Sequence, residues 1–128
     1  MKDESRTWLK YANENLRSAK ILLGSSLFNP SLQNIQQAVE KLLKALIVES
    51  SLNLRKTHSI NELRNTLITG GIDIDITDDE CDLLDSIYLP SKYPLGGVLP
   101  EFEPDMDICG RCMAIAEKIN ASVKKHFS

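Results

Sequence analysis

The sequence predicts an all-α protein, an up-and-down bundle of about five helices forming a single domain over residues 1–128. Three observations carry this. Apolar residues recur at steps of three and four in five separate stretches. Those stretches are bounded by capping boxes, glycines and prolines. One of them, residues 34–50, is apolar on nearly two faces, as the central helix of a bundle must be.

In that central stretch Ile35, Ala38, Val39, Leu42, Ala45 and Leu46 form one apolar stripe, and Leu43, Ile47 and Leu54 form a second beside it. The remaining strip is polar. Gln37, Lys41 and Lys44 follow one another at helical spacing, and Glu40 precedes Lys44 by four residues, a favourable pair.

A first helix is expected over about residues 4–24, with Trp8, Ala12, Leu16, Ala19 and Leu23 inward, Tyr11 and Leu22 beside them, and Gly24 as its stop. Asn29-Pro30 signals a turn, and Pro30 suits the first position of the central helix, which should run to about Asn53. After the linker Leu54–His58, Ser59-Ile60-Asn61-Glu62 is a capping box. The third helix it opens carries Ile60, Leu63, Leu67 and Ile68 and stops at Gly70-Gly71. Ile72 to Ile76 alternates apolar and acidic like a strand, but no partner strand exists, so it reads as an extended connector.

Thr77-Asp78-Asp79-Glu80 is a second capping box, with carboxylates where the helix dipole favours them. Helix four presents Leu83, Leu84, Ile87 and Tyr88 and is expected to end at Pro90. Ser91 to Glu103 holds two prolines and two glycines and reads as a long loop, a feature that is often functional. Pro104-Asp105 opens helix five, with Ile108, Cys112, Ile115, Ile119 and Val123 on its core face and Lys124, Lys125 and His126 at its end.

Composition narrows the function. A chain of this length with 26% charged and 42% hydrophobic residues is an ordinary globular protein that needs no staples. No apolar run approaches a membrane span, and the polar start lacks the apolar core of an export signal. The three cysteines are therefore expected reduced, in a cytoplasm. Charge is uneven. Residues 1–64 hold ten basic and six acidic residues, net +4; residues 65–128 hold five and twelve, net −7. A net charge of −3 argues against broad nucleic-acid binding but permits a local basic strip.

Four groups of residues suggest chemistry. Cys109-Gly-Arg-Cys112 is a lone C-x-x-C without the further ligands zinc needs, so its cysteines read as core and helix-start residues. The acidic set from Asp73 to Asp85 lacks EF-hand spacing and reads as a solvated helix start. His58, beside Arg55 and Lys56, is placed to act as a base or to meet a phosphate, or simply to be satisfied by nearby backbone. Lys92-Tyr93-Pro94 places a cation beside an aromatic, suited to phosphate and base.

Taken in order, four segments resemble the HEPN family (higher eukaryote and prokaryote nucleotide-binding domains). They are the Trp8 helix; Gln36-Gln37-Ala38-Val39-Glu40-Lys41-Leu42-Leu43-Lys44-Ala45-Leu46, similar to the family's QQAxEKxLKAxL; Lys56-Thr57-His58-Ser59-Ile60-Asn61-Glu62-Leu63, similar to KTHDLxxL; and Tyr88 to Pro94, similar to its loop ending in RYP. The resemblance covers about residues 8–124.

It implies a HEPN-like helical bundle that often forms a homodimer. It also implies nucleotide or RNA handling, frequently beside a small nucleotidyltransferase in toxin–antitoxin-like or stress-related pairs. Members that cleave RNA carry Arg, four to six residues, then His. Arg6, Arg17, Arg64 and Arg111 have no histidine at that distance, and Arg55 stands too close to His58. The expectation is thus a module without its own catalytic motif, a cofactor or a metal. It would bind a nucleotide or RNA phosphate, or a partner protein. Its ligand residues would be Gln37, Lys41 and Lys44 on the central helix, Lys56 and His58 ahead of helix three, and Lys92 and Tyr93 in the loop. Lys92 stands where the family often has Arg, and Ser59 where it often has Asp. The alternative is a metal-independent ribonuclease with an atypical set of Arg55, Lys56 and His58. A third is an adaptor with a dimer face built from Leu27, Phe28, Val98, Leu99 and Phe102.

Overall fold

The computed structural model describes residues 1–92 and 103–127, with the backbone alone for 89–92. Within them lie five helices: α1 (Asp3–Gly24), α2 (Phe28–Glu49), α3 (Ile60–Thr69), α4 (Asp78–Lys92) and α5 (Met106–Lys125). No strand occurs among the described residues. Helix α2 packs against each of the other four, so the two apolar stripes of its sequence both find partners. Its Leu32, Ile35, Leu42, Leu43, Leu46 and Ile47 are fully buried, together with Leu63 and Leu67 of α3, Leu84 and Ile87 of α4 and Ile119 of α5. Removing that apolar area from water is the main stabilising term. Trp8, Tyr11 and Ile68 are less enclosed than their helix positions suggest; Ile68 stays 54% exposed.

The helix ends follow local chemistry. In α1, α2 and α3 the chain leaves through one residue with left-handed φ: Ser26 (59°), Ser51 (57°) and Gly71 (82°). The next amide then bonds back five residues, Leu27 to Leu22 O, Leu52 to Ile47 O and Ile72 to Leu67 O. Gly24 is therefore the last helical residue of α1, and a serine takes the left-handed position after it. The same motif ends α2 at Glu49 rather than near Asn53. Lys2 reinforces that end, its Nζ donating to Val48 O at 2.9 Å. Helix α2 starts at Phe28, two residues before Pro30, whose missing N–H falls in the first turn and costs no bond there.

The box at Thr77 is reciprocal: Thr77 N donates to Glu80 Oε1 at 2.9 Å and Glu80 N to Thr77 Oγ1 at 3.1 Å. Asp105 caps α5 by accepting from Ile108 N at 2.9 Å. Ile74 and Ile76 of the connector are buried, and Asp73 and Asp75 are exposed, which explains the alternation without a sheet. Helix α4 runs two residues past Pro90, so the expected stop falls inside its last turn. The residues expected to form the long loop lie largely outside the described residues, Tyr93 among them.

Candidate functional site

The polar strip of α2 is roofed by α1 and closed by the α2–α3 linker and α4. Gln37, Lys41, Lys44 and His58 line one pocket of about 320 Å3. Trp8, Glu40 and Tyr88 complete its walls. Wider surface clefts lie among the described residues, of about 430 Å3 beside α3, about 570 Å3 beside the connector and about 350 Å3 on α1. None of them gathers several cations and aromatic rings, so chemistry and not volume selects the smaller one.

Glu40 is the hub. Its side chain is only 8% exposed, and that of Lys44 only 10%. Glu40 Oε2 accepts from Lys44 Nζ at 3.1 Å, and Oε1 stands 2.9 Å from His58 Nδ1. A buried carboxylate is tolerable only when so paired. Against an ionised carboxylate, Nδ1 carries the proton, which leaves Nε2 of the neutral ring as the acceptor. Lys44 Nζ also lies 5.4 Å from the centroid of the Trp8 ring, within cation–π range. Lys41 Nζ donates to Asn15 Oδ1 at 2.7 Å and lies 5.9 Å from the Tyr11 ring centroid. Asn15 is held in turn by Asn34 at 2.8 Å.

His58 is fixed from two further directions. Gln36, buried on α2, donates to its carbonyl at 3.2 Å. Its ring stacks on Tyr88, with centroids 5.0 Å apart and planes 15° from parallel. The imidazole is therefore satisfied by a side chain of α2, not by nearby backbone.

The N-terminus of α3, where the sequence invites an external anion, already holds one. Asp85 of α4 accepts from Ile60 N at 2.6 Å, Asn61 N at 3.1 Å, Asn61 Nδ2 at 2.8 Å and Ser59 Oγ at 3.2 Å. Glu62 N still donates to Ser59 Oγ at 3.2 Å. The capping box thus forms on one side, with Asp85 supplying the anion from another helix. Four other acidic residues of the set are engaged too. Glu80 and Asp75 pair with Lys118, Asp78 with Arg64, and Asp82 accepts from Asn61. Among the described residues no three metal-ligating side chains gather.

Not every expected ligand residue reaches the pocket. Lys56 is exposed in the linker and is absent from the lining, and Arg55 lines the cleft beside α3 instead. Lys92 is the last residue of α4, described in backbone only, and Tyr93 is outside the described residues. Of the residues expected to form a dimer face, Phe28 is partly buried against the core and Leu27 is half exposed, while Val98, Leu99 and Phe102 lie outside the described residues. Cys81, Cys109 and Cys112 are free and buried. Burial pushes the Cys81 and Cys112 thiols up to about 11, away from the reactive thiolate.

The profile of the HEPN domain matches residues 5–126, nearly the whole chain. The chain belongs to the HEPN domain family. Its fold is similar to that of TT1696 from Thermus thermophilus, with a TM-score of 0.80 and 28% identity over 97% of this chain and 98% of that one. It is also similar to ST0689, an archaeal HEPN homologue, with a TM-score of 0.74 and 25% identity over the full length of both. No protein of curated function matches. No helix of this HEPN domain, among the described residues, is long and apolar enough to cross a membrane.

Three wall residues of the HEPN pocket were not legible as such. Trp8 and Tyr88 read as core residues of their own helices, and Glu40 as half of a favourable pair with Lys44. The available signal was that α2 has almost no free face, so a charge at position 40 had to be buried beside something.

Proposed function

We propose that this HEPN domain is a binding module for a nucleotide or RNA phosphate, without a catalytic motif of its own. One observation carries the reading: side chains from α1, α2, the α2–α3 linker and α4 meet around two lysines in a single pocket. Lys41 and Lys44 against Glu40 leave a net positive lining, and Trp8 and Tyr88 supply apolar faces for a base. The pocket's volume sits at the small end of ligand sites, which suits one nucleotide unit. The same proposal includes a homodimer and a small nucleotidyltransferase partner in a toxin–antitoxin-like or stress-related pair, supported by family resemblance alone.

The test is thermal unfolding with AMP, ATP and a short RNA. A ligand at about a hundred times its Kd adds about 2.7 kcal/mol, a rise of roughly 10 °C for a chain of this size. Replacing Lys41 and Lys44 together by Ala should remove that rise. If no nucleotide or RNA shifts the transition, the phosphate reading fails and the partner-protein form is what remains.

A second reading is favoured by one contact. Glu40 on His58 Nδ1 orients an imidazole as in general-base catalysis. It predicts RNA cleavage that vanishes in His58→Ala. Arg55 and Lys56 do not join His58 in the pocket lining, so the atypical set loses two of its members there.

A further inference from the structure

We infer that anion binding in this pocket is coupled to protonation of His58, so the site holds its ligand more tightly as pH falls. The inference rests on the pocket being an anion site and adds its regulation.

Glu40 divides its two oxygens between Lys44 and His58, at 3.1 and 2.9 Å. With a neutral imidazole, the lining holds two lysines against one carboxylate, and Glu40 offsets much of the field of Lys44. A proton on His58 adds a second net positive charge. It also gives Glu40 a second cationic partner, so more of the field of Lys44 reaches the pocket. The ring is held but not enclosed: its side chain is 58% exposed, open to proton exchange and to a ligand.

Among the described residues, the groups around His58 are few. From α2 they are Glu40, Lys41 and Lys44; from α1, the uncharged Trp8. From α4 they are Tyr88 and Asp85, whose carboxylate is taken up by residues 59–61. On its own linker, Lys56 is exposed and Arg55 lines the neighbouring cleft. Of these residue types, histidine is the one whose charge ordinarily changes between about pH 5 and 8. Linkage then works both ways: a protonated ring favours the anion, and the anion favours the protonated ring.

Sulfate is the probe, because it remains a dianion throughout this range and any pH dependence belongs to the protein. Sulfate titrations of the full chain, at constant ionic strength, should give about tenfold tighter binding near pH 5.5 than near pH 8. His58→Gln should flatten that difference, and His126→Gln should keep it. In the unmodified chain, the NMR titration midpoint of the His58 ring should rise with saturating sulfate. Equal affinity at both pH values, an undiminished slope in His58→Gln, or an unmoved His58 midpoint overturns the coupling while leaving the pocket. Sulfate that binds at neither pH overturns the anion pocket itself, and the coupling with it. If His58→Gln does not fold, the midpoint measurement decides alone.

Discussion

Asp85→Ala should destabilise the fold well beyond what a surface carboxylate normally costs. The carboxylate receives four donors from the start of α3, two of them backbone amides at 2.6 and 3.1 Å. Loss of a helix cap costs about 1 kcal/mol, and charge-assisted hydrogen bonds are worth about 1.5–3 kcal/mol each when their donors are left unsatisfied. Ile60 is fully buried, so water does not readily replace its partner; Asn61 is half-buried, so water partly does. Together these give a loss of about 2–3 kcal/mol, or a fall in Tm of roughly 8–12 °C for a domain of this size. Asp85→Asn keeps a carbonyl oxygen at the cap but loses the charge, and should recover about half. Calorimetry on the three proteins measures this. A fall below about 2 °C for Asp85→Ala would mean that α3 caps itself through Ser59, and that Asp85 is not what joins the two helices.

Two further outcomes follow from the buried groups. Lys44→Met removes the lysine from Glu40, leaves His58 as its remaining side-chain partner, and should cost about 3 kcal/mol near pH 8 in urea unfolding. The cost should shrink near pH 5.5, where a protonated His58 takes over the pairing; an equal cost at both pH values refutes the shared-carboxylate picture. Cys81 and Cys112, raised to about 11 by burial, should react with iodoacetamide near pH 8 about a hundredfold more slowly in the native chain than in urea. Similar rates would place those thiols at the surface.

What the sequence discloses here is what is decided within a few residues. The Thr77–Glu80 box, the Asp105 cap and the glycine exit of α3 each form from neighbours on the chain, and each reads directly. The serine exits of α1 and α2 do not, because serine in a left-handed position is tolerated rather than preferred. The site is legible by halves for the same reason. Lys41 and Lys44 declare themselves by helical spacing. Trp8 over Lys44 and Asp85 at residues 59–61 join positions many residues apart, so no local pattern announces them. Tyr88 on His58 is the same kind of contact: each residue type was plain, and their meeting was not.

The Asp85 contact also changes where an anion has to be held. A free helix N-terminus would have offered a phosphate two or three amides and a partial positive charge. Here those amides already serve a carboxylate of the same chain, so a ligand entering the pocket gains little from the α3 dipole. Its charge must be met by Lys41, by the part of Lys44 that Glu40 does not neutralise, and by His58 when protonated. Each of these is set by Glu40 or by α1, not by α3. Substitutions on α1 that shift Trp8, and substitutions at Glu40, should therefore alter anion affinity more than any change along the outer face of α3. An affinity that follows α3 instead would mean that Asp85 yields its place when the ligand arrives.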